Sequence, residues 1–355
     1  MIPRAALGAA AAWALGGAAA APAPSVTSMA ADAEPRIAAL AAEMTSALGV
    51  PGVAVVVGRA DGAGGYADVA RVYTGRYGPE SVEPIASASK WFTAATVAAV
   101  ADAGKLRLED PVARYLPSVP ADKSGMTVRQ TLSHLSGLPQ LGPFAERRYP
   151  DLAASAAGAL AEPLAGTPGT VLLYSGTAMQ VGARAAEIAD GRDFRAIFDA
   201  RIAKPLKLAR TRYGLDSRSA PVTGGGLLST PADLETFAKM IAGYGTAGGV
   251  RVLAAATVRD MTQLRSKGAR IVAIPRQAER FAGMATGMWC EKADAADRCL
   301  VVSSVGAFGT YAWVDYEQGE YGVMFVRTAL PRAMPWWVKM REAIGETRPR
   351  LSKPF

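Results

Sequence analysis

Strand-type apolar runs lie near both ends of this chain, and a long stretch of helical pattern separates them. Early on, Val53-Ala54-Val55-Val56-Val57 is opened by Pro51 and broken by Asp61-Gly62. A short continuous apolar run bounded by turn residues reads as a buried strand. A second strand is expected over 70–73. Strand signals return only late, at 222–230, 300–303, 308–315 and 321–327. The last two flank Glu317-Gln318-Gly319-Glu320, a hairpin signal. The intervening region, about 110–213, is alanine-rich and helical in pattern, with Pro and Gly as punctuation. Strands at both ends around a helical middle predict an α+β fold, an antiparallel sheet flanked by helices with an all-helical lobe inserted between its strands. The α/β lobe is expected over about 34–86 and 222–350, and the helical lobe over about 87–221.

Three helices frame this plan. Ile37, Leu40, Met44 and Leu48 share a helical face that ends at Gly49. An amphipathic helix is expected to begin at Ser87 and stop at Gly104. Pro335 to Ile344 reads as a closing helix. The 355 residues suffice for one large domain or two lobes with a shared interface, and no internal repeat is evident.

The first segment has a different character. Arg4 precedes an alanine-rich apolar run through Trp13 and Leu15 that ends at Ala18-Ala19-Ala20-Ala21-Pro22. That order matches a secretory signal peptide over 1–23, and the competing reading is an alanine-rich tail. No cysteine stands near the expected cleavage point to carry a lipid. No later segment has the apolar length of a membrane span, so the mature chain is expected without a transmembrane segment, periplasmic or secreted. The net charge of +8 is scattered, with Arg147-Arg148 its densest pair, and no nucleic-acid partner is expected. Cys290 and Cys299 are the two cysteines. In an oxidising compartment they would close a short loop, a disulfide contributing ~2–3 kcal/mol, and the alternative is a pair of inert thiols. A single histidine and no second cysteine pair disfavour zinc, and no metal or cofactor is implied.

Ser87-Ala88-Ser89-Lys90 is the one S-x-x-K in the chain. Positions i and i+3 share a helix face, so Lys90 can reach the Ser87 hydroxyl. A helix N-terminus offers unpaired N–H groups to a developing oxyanion. A lysine serves as base only when neutral, a state that burial favours. The bland reading is Ser87 as an N-cap with Lys90 solvated. His134, the lone histidine, would have to be the base of a Ser-His-Asp hydrolase, but no G-x-S-x-G turn occurs; His134 is read as structural. Asp233, after Ser229-Thr230-Pro231, fits the first turn of a helix, where it satisfies the dipole.

Several blocks occur in a telling order: Ile85-Ala-Ser-Ala-Ser-Lys-Trp-Phe-Thr-Ala94, Gly104-Lys-Leu-Arg-Leu-Glu-Asp-Pro-Val112, Thr127-Val-Arg-Gln-Thr-Leu-Ser-His-Leu-Ser-Gly-Leu138, Pro168-Gly-Thr-Val-Leu-Leu-Tyr-Ser-Gly176 and Gly224-Gly-Gly-Leu-Leu-Ser-Thr-Pro-Ala-Asp-Leu234. The series resembles the serine beta-lactamase-related family, which includes class C beta-lactamases, D-Ala-D-Ala peptidases and family VIII esterases. The resemblance runs from about Ile37 to Ile344 and implies a beta-lactamase/transpeptidase-like fold and a single catalytic domain over 24–355. It implies Ser87 as the acylated nucleophile, Lys90 as its base and Tyr174 as the tyrosine of the family's Y-x-N box. The third box, K-T-G or H-x-G, corresponds to Ser304-Val305-Gly306. There the Ala307 N–H would face that of Ser87 across the oxyanion, and Gly306 would let substrate approach the backbone.

Two departures bear on substrate. Ser304 replaces a cation that meets a substrate carboxylate, and Gly176 replaces an asparagine amide. A lost charge-assisted contact costs ~2–3 kcal/mol, which falls harder on beta-lactams and peptides than on simple esters. An esterase-type serine hydrolase is therefore expected, with a small-molecule ester, beta-lactam or peptide as substrate. Ser303, Ser304 or Arg327 remain as substitute contacts. The alternatives are beta-lactamase or D-Ala-D-Ala carboxypeptidase activity, and a penicillin-binding sensor module without turnover.

Overall fold

The computed structural model describes residues 26–142, 149–214 and 219–346. The expected signal segment and the Arg147-Arg148 pair lie outside the described residues. The valine run proves continuous because its strand is covered on both faces. It forms β1 (Val53–Ala60), followed by β2 (Tyr66–Tyr73). After the helical region come β3 (Gly283–Met284), β4 (Trp289–Ala293), β5 (Cys299–Val305), β6 (Tyr311–Asp315) and β7 (Glu320–Val326). The sheet order is β3-β4-β5-β6-β7-β1-β2, with every neighbour antiparallel. The first hairpin thus docks on the last strand, Val55 opposite Met324, and the expected antiparallel sheet is present.

Alternation along β1 assigns its side chains to two cores. Val53, Val55 and Val57 join Trp313 and Met324 against the terminal helices α1 (Val26–Leu48) and α5 (Leu330–Glu346). Ala54, with Val323 and Phe325, faces the larger core. That core holds α2 (Ser89–Asp102), α3 (Gly176–Asp190) and α4 (Pro231–Ala242). Helix α2 was expected to be amphipathic. Instead every residue from Ser89 to Val100 is buried, because α2 runs between the sheet and the other helices. No described helix is long and apolar enough to cross a membrane.

Other departures from expectation are local. Of 222–230 only Leu227–Ser229 is a strand, joined to Glu83–Pro84 and Arg212–Tyr213 in a small sheet. Strands β3, β4 and Arg270–Ala273 had no clear signal; the last pairs in parallel with Val171–Leu173. The closing helix begins at Leu330, ahead of Pro335. A disulfide joins Cys290 of β4 to Cys299 of β5.

Aromatic rings lie flat on glycine across the sheet. Trp313 pairs with Gly322, where a Cβ would stand 2.0 Å from the indole. Gly58 makes the same room for Tyr321, at 2.4 Å. Gly322→Ala is therefore expected to overpack this core by about 1–3 kcal/mol. A urea midpoint equal to that of the unsubstituted protein would refute the packing argument.

Candidate active site

The small sheet sets the entry to α2. Ile85 N–H donates to Leu227 O at 3.0 Å, and a short 3-10 turn, Ala86–Ala88, follows before α2 begins at Ser89. The helix thus starts two residues later than expected, and Ser87 sits on the turn. Ala86, just before it, adopts φ +46°, a conformation that side chains disfavour. Three contacts hold the turn. Ser89 Oγ donates to Ala86 O at 2.6 Å and accepts from Leu227 N at 3.0 Å. Ser304 Oγ donates to Ala88 O at 3.4 Å. Gly306 abuts Ile85, whose carbonyl oxygen would lie 2.2 Å from a Cβ there. Gly306 therefore permits a close approach of backbone to backbone.

Lys90 lies one turn along α2 and is only 4% exposed. Its Nζ donates to Ser87 Oγ at 3.0 Å and to Gly224 O at 2.5 Å. Gly224 reaches it by crossing Gly176 backbone to backbone; a Cβ on Gly224 would stand 2.6 Å from Gly176 Cα. The amine also lies 4.7 Å from the centroid of the Tyr174 ring.

Tyr174 follows the strand Val171–Leu173, and its N–H donates to Ala273 O at 2.8 Å. Its ring is stacked on Trp289, with centroids 5.1 Å apart, and touches His134 at 4.4 Å. Trp289, unnoticed in the sequence, thus orients the phenol. His134 is fully buried, and its Nδ1 accepts from Ser175 N at 3.1 Å. Burial, then the positive charge of Lys90, lowers its pKa to about 3. A neutral ring bonded to backbone is a supporting group for Tyr174. Asp233 does more than complement a dipole: its carboxylate accepts from Arg210 N at 2.9 Å and Thr211 Oγ1 at 2.8 Å.

Two cavities meet at Ser87, Tyr174 and Ala307. One, about 430 Å³, adds Lys90, Gln140, Leu141, Gly176, Val222, Gly224 and Phe308 among its walls. The other, about 240 Å³, is walled by Phe281, Trp289, Val305, Leu330, Pro331 and Met334, with Pro275, Gln277 and Ala278. Among the described residues lining both, Lys90 is the sole charged side chain. Ser304 lines neither, being buried beneath the turn. Arg327 lies outside them, its guanidinium 4.0 Å from the ring centre of Phe308. Gln140, which no local pattern flagged, accepts from Gly176 N at 2.5 Å. It brings a carboxamide to the place where Gly176 has no side chain. A buried amine bonded to a serine hydroxyl at the junction of two cavities is suited to nucleophilic acyl transfer.

Comparison with known proteins agrees. A family model for Beta-lactamase matches residues 37–342. A candidate beta-lactamase from Bacteroides dorei superposes with a TM-score of 0.78 at 28% identity, over 88% of this chain and 98% of its own. EstCE1, a hydrolase with promiscuous acyltransferase activity, gives a TM-score of 0.73 at 18% identity, over 89% and 98%. The D-alanyl-D-alanine-carboxypeptidase/endopeptidase AmpH of Escherichia coli is 25% identical over 189 residues, 44% of this chain and 47% of its own.

Two outcomes follow from this geometry. Gly224→Ala should wedge the Gly176 crossing apart and cut turnover at least tenfold while the fold persists; full activity would show that the crossing does not position Lys90. His134 has a folded pKa near 3 against 6.5 for the free side chain, so between those values the unfolded state binds the extra proton. Stability from this group is complete above pH 6.5 and falls on acidification, by about 1.4 kcal/mol per pH unit. His134→Asn, which tolerates the φ of +60° at this site, should remove that part of the slope in urea melts from pH 7 to 4.

Proposed function

Because the chain belongs to the beta-lactamase family, we propose that it is an exported serine hydrolase that forms an acyl-enzyme on Ser87, with uncharged esters as its preferred substrates. The observation that carries this reading is the Lys90 Nζ to Ser87 Oγ bond of 3.0 Å at the floor of the cavities. In its neutral form Lys90 takes the hydroxyl proton as Oγ attacks the ester carbonyl. The backbone N–H groups of Ser87 and Ala307 receive the oxyanion. Tyr174, beside the amine, relays that proton from Lys90 to the departing alcohol; in deacylation the proton lost by the attacking water passes through Tyr174 and Lys90 back to Ser87 Oγ as the acyl bond breaks. The catalytic domain is assigned to 24–355, with the 1–23 segment as its export signal and a periplasmic or secreted location. The disulfide supports an oxidising compartment.

The ester preference rests on polarity. Apolar and aromatic side chains dominate the walls, and the one cation in them is engaged by Ser87 and Gly224. Ser304 offers no charge and is bonded to Ala88, so a substrate carboxylate lacks a partner among the described residues lining the cavities. Two observations favour a second reading, a beta-lactam or D-amino-acid peptide. Gln140 presents an amide near Gly176, and AmpH is a carboxypeptidase/endopeptidase.

Intact-mass analysis after a short p-nitrophenyl ester should reveal an acyl adduct on Ser87 that Ser87→Ala lacks. Lys90→Ala and Tyr174→Phe should each lower kcat by about 10²–10⁴-fold without loss of folding. Turnover of the ester should exceed that of a chromogenic cephalosporin by a wide margin. The opposite ranking would favour the second reading, and undiminished activity in Ser87→Ala would refute both.

A further inference from the structure

The strand Arg270–Ala273 is exposed along its whole length and pairs with a neighbour at one edge alone. Ile271 is 58% exposed and Val272 38%, making them adjacent members of a short set of exposed large hydrophobics among the described residues. The segment around them, 265–281, is strongly basic: Arg265, Lys267, Arg270, Arg276 and Arg280 stand against Glu279 alone. Arg265 and Lys267 are paired with Asp260 and Asp297. Arg270 and Arg276 have no ion-pair partner among the described residues.

We propose that this flap docks the protein on an anionic lipid surface, its free strand edge leading, so that Ile271 and Val272, on opposite exposed faces of the strand, both enter the headgroup layer and Arg270 and Arg276 meet the lipid phosphates. Apolar tips flanked by arginine are the composition of an interfacial anchor. Each basic residue near an anionic surface adds to the attraction. The charge argues against a second copy of the chain as the occupant, since two such flaps repel. The placement gives docking a consequence. The same segment continues into Pro275, Gln277, Ala278 and Phe281, which wall the smaller cavity at Ser87. A surface held at Ile271 therefore lies beside that apolar opening, where an ester of a lipid could pass into it.

Vesicle co-sedimentation of the purified protein tests this independently of the chemistry at Ser87. Phosphatidylglycerol vesicles should bind the protein, phosphatidylcholine vesicles should not, and added salt should weaken the binding. Ile271→Asp combined with Val272→Asp should lower the bound fraction at least tenfold, and Arg270→Gln combined with Arg276→Gln by about tenfold or more. All four substitutions should leave soluble short-ester turnover unchanged, showing that the fold persists. Ser87→Ala should bind vesicles as the unsubstituted protein does. Absence of phosphatidylglycerol binding, binding that the flap substitutions do not reduce, or a solution dimer that Ile271→Asp dissociates while vesicles are ignored would each overturn the proposal.

Discussion

One buried amine organises everything around it. A lysine withdrawn to 4% exposure must find acceptors inside the protein, because leaving an amine there without them costs several kcal/mol. Lys90 finds one locally, the Ser87 hydroxyl a turn away, and one from 134 residues downstream, the Gly224 carbonyl. That second bond dictates the backbone around it. Gly224 can deliver its carbonyl only where it passes against Gly176 with no Cβ between them. The glycine at 176, read from sequence as a lost amide, sits at that crossing. A Cβ there would lie 3.4 Å from Gln140 Oε1 and 3.6 Å from Lys90 Nζ, so the space beside it is already shared with Gln140.

The apolar walls matter electrostatically as well as sterically. Charge is poorly screened in a cavity lined by Phe281, Trp289, Val305 and Met334, so fixed dipoles act more strongly there than in water. A second cation would disturb that balance. His134 touches the Tyr174 ring at 4.4 Å and would be one if protonated; full burial and the charge on Lys90 keep it neutral. The histidine thus supports the phenol sterically without competing with the lysine electrostatically.

The parts of the fold visible in the sequence are those whose burial is reflected in local pattern. The run Val53–Val57 is continuous because both faces of β1 are covered, and β7 is readable for the same reason. Strand β4 was not readable. It is half exposed, its register with β5 shifts twice, and its neighbour β3 has two residues. Arg270–Ala273 is a strand only through its long-range pairing with Val171–Leu173. At the site, Ser87 and Lys90 could be found because one helical turn joins them, and Tyr174 because it stands within an ordered series of motifs. Gln140 and Trp289 carry no such local signal. They are brought in by Pro139-Gln140 passing over α3 and by β4 stacking on Tyr174, and only tertiary structure shows either. The amphipathic pattern expected of α2 failed for a related reason: a helix packed on all sides has no polar face to display.

The position of Ser87 illustrates how tightly site and fold are linked. Ala86 at φ +46° costs about 1–3 kcal/mol in backbone strain, and such strain persists only where its surroundings over-determine it. They do so here from separate parts of the chain. Leu227 accepts from Ile85 and donates to Ser89. Ser304 caps Ala88, and Gly306 presses its bare Cα against the Ile85 carbonyl. Two of these contacts come from the end of β5, so the edge that supplies Ala307 also fixes the turn that supplies Ser87. The backbones of Ser87 and Ala307 consequently share one support, the end of β5. Ser304 takes part in this coupling without a charge. Its hydroxyl serves the Ala88 carbonyl, a structural duty that requires no charge.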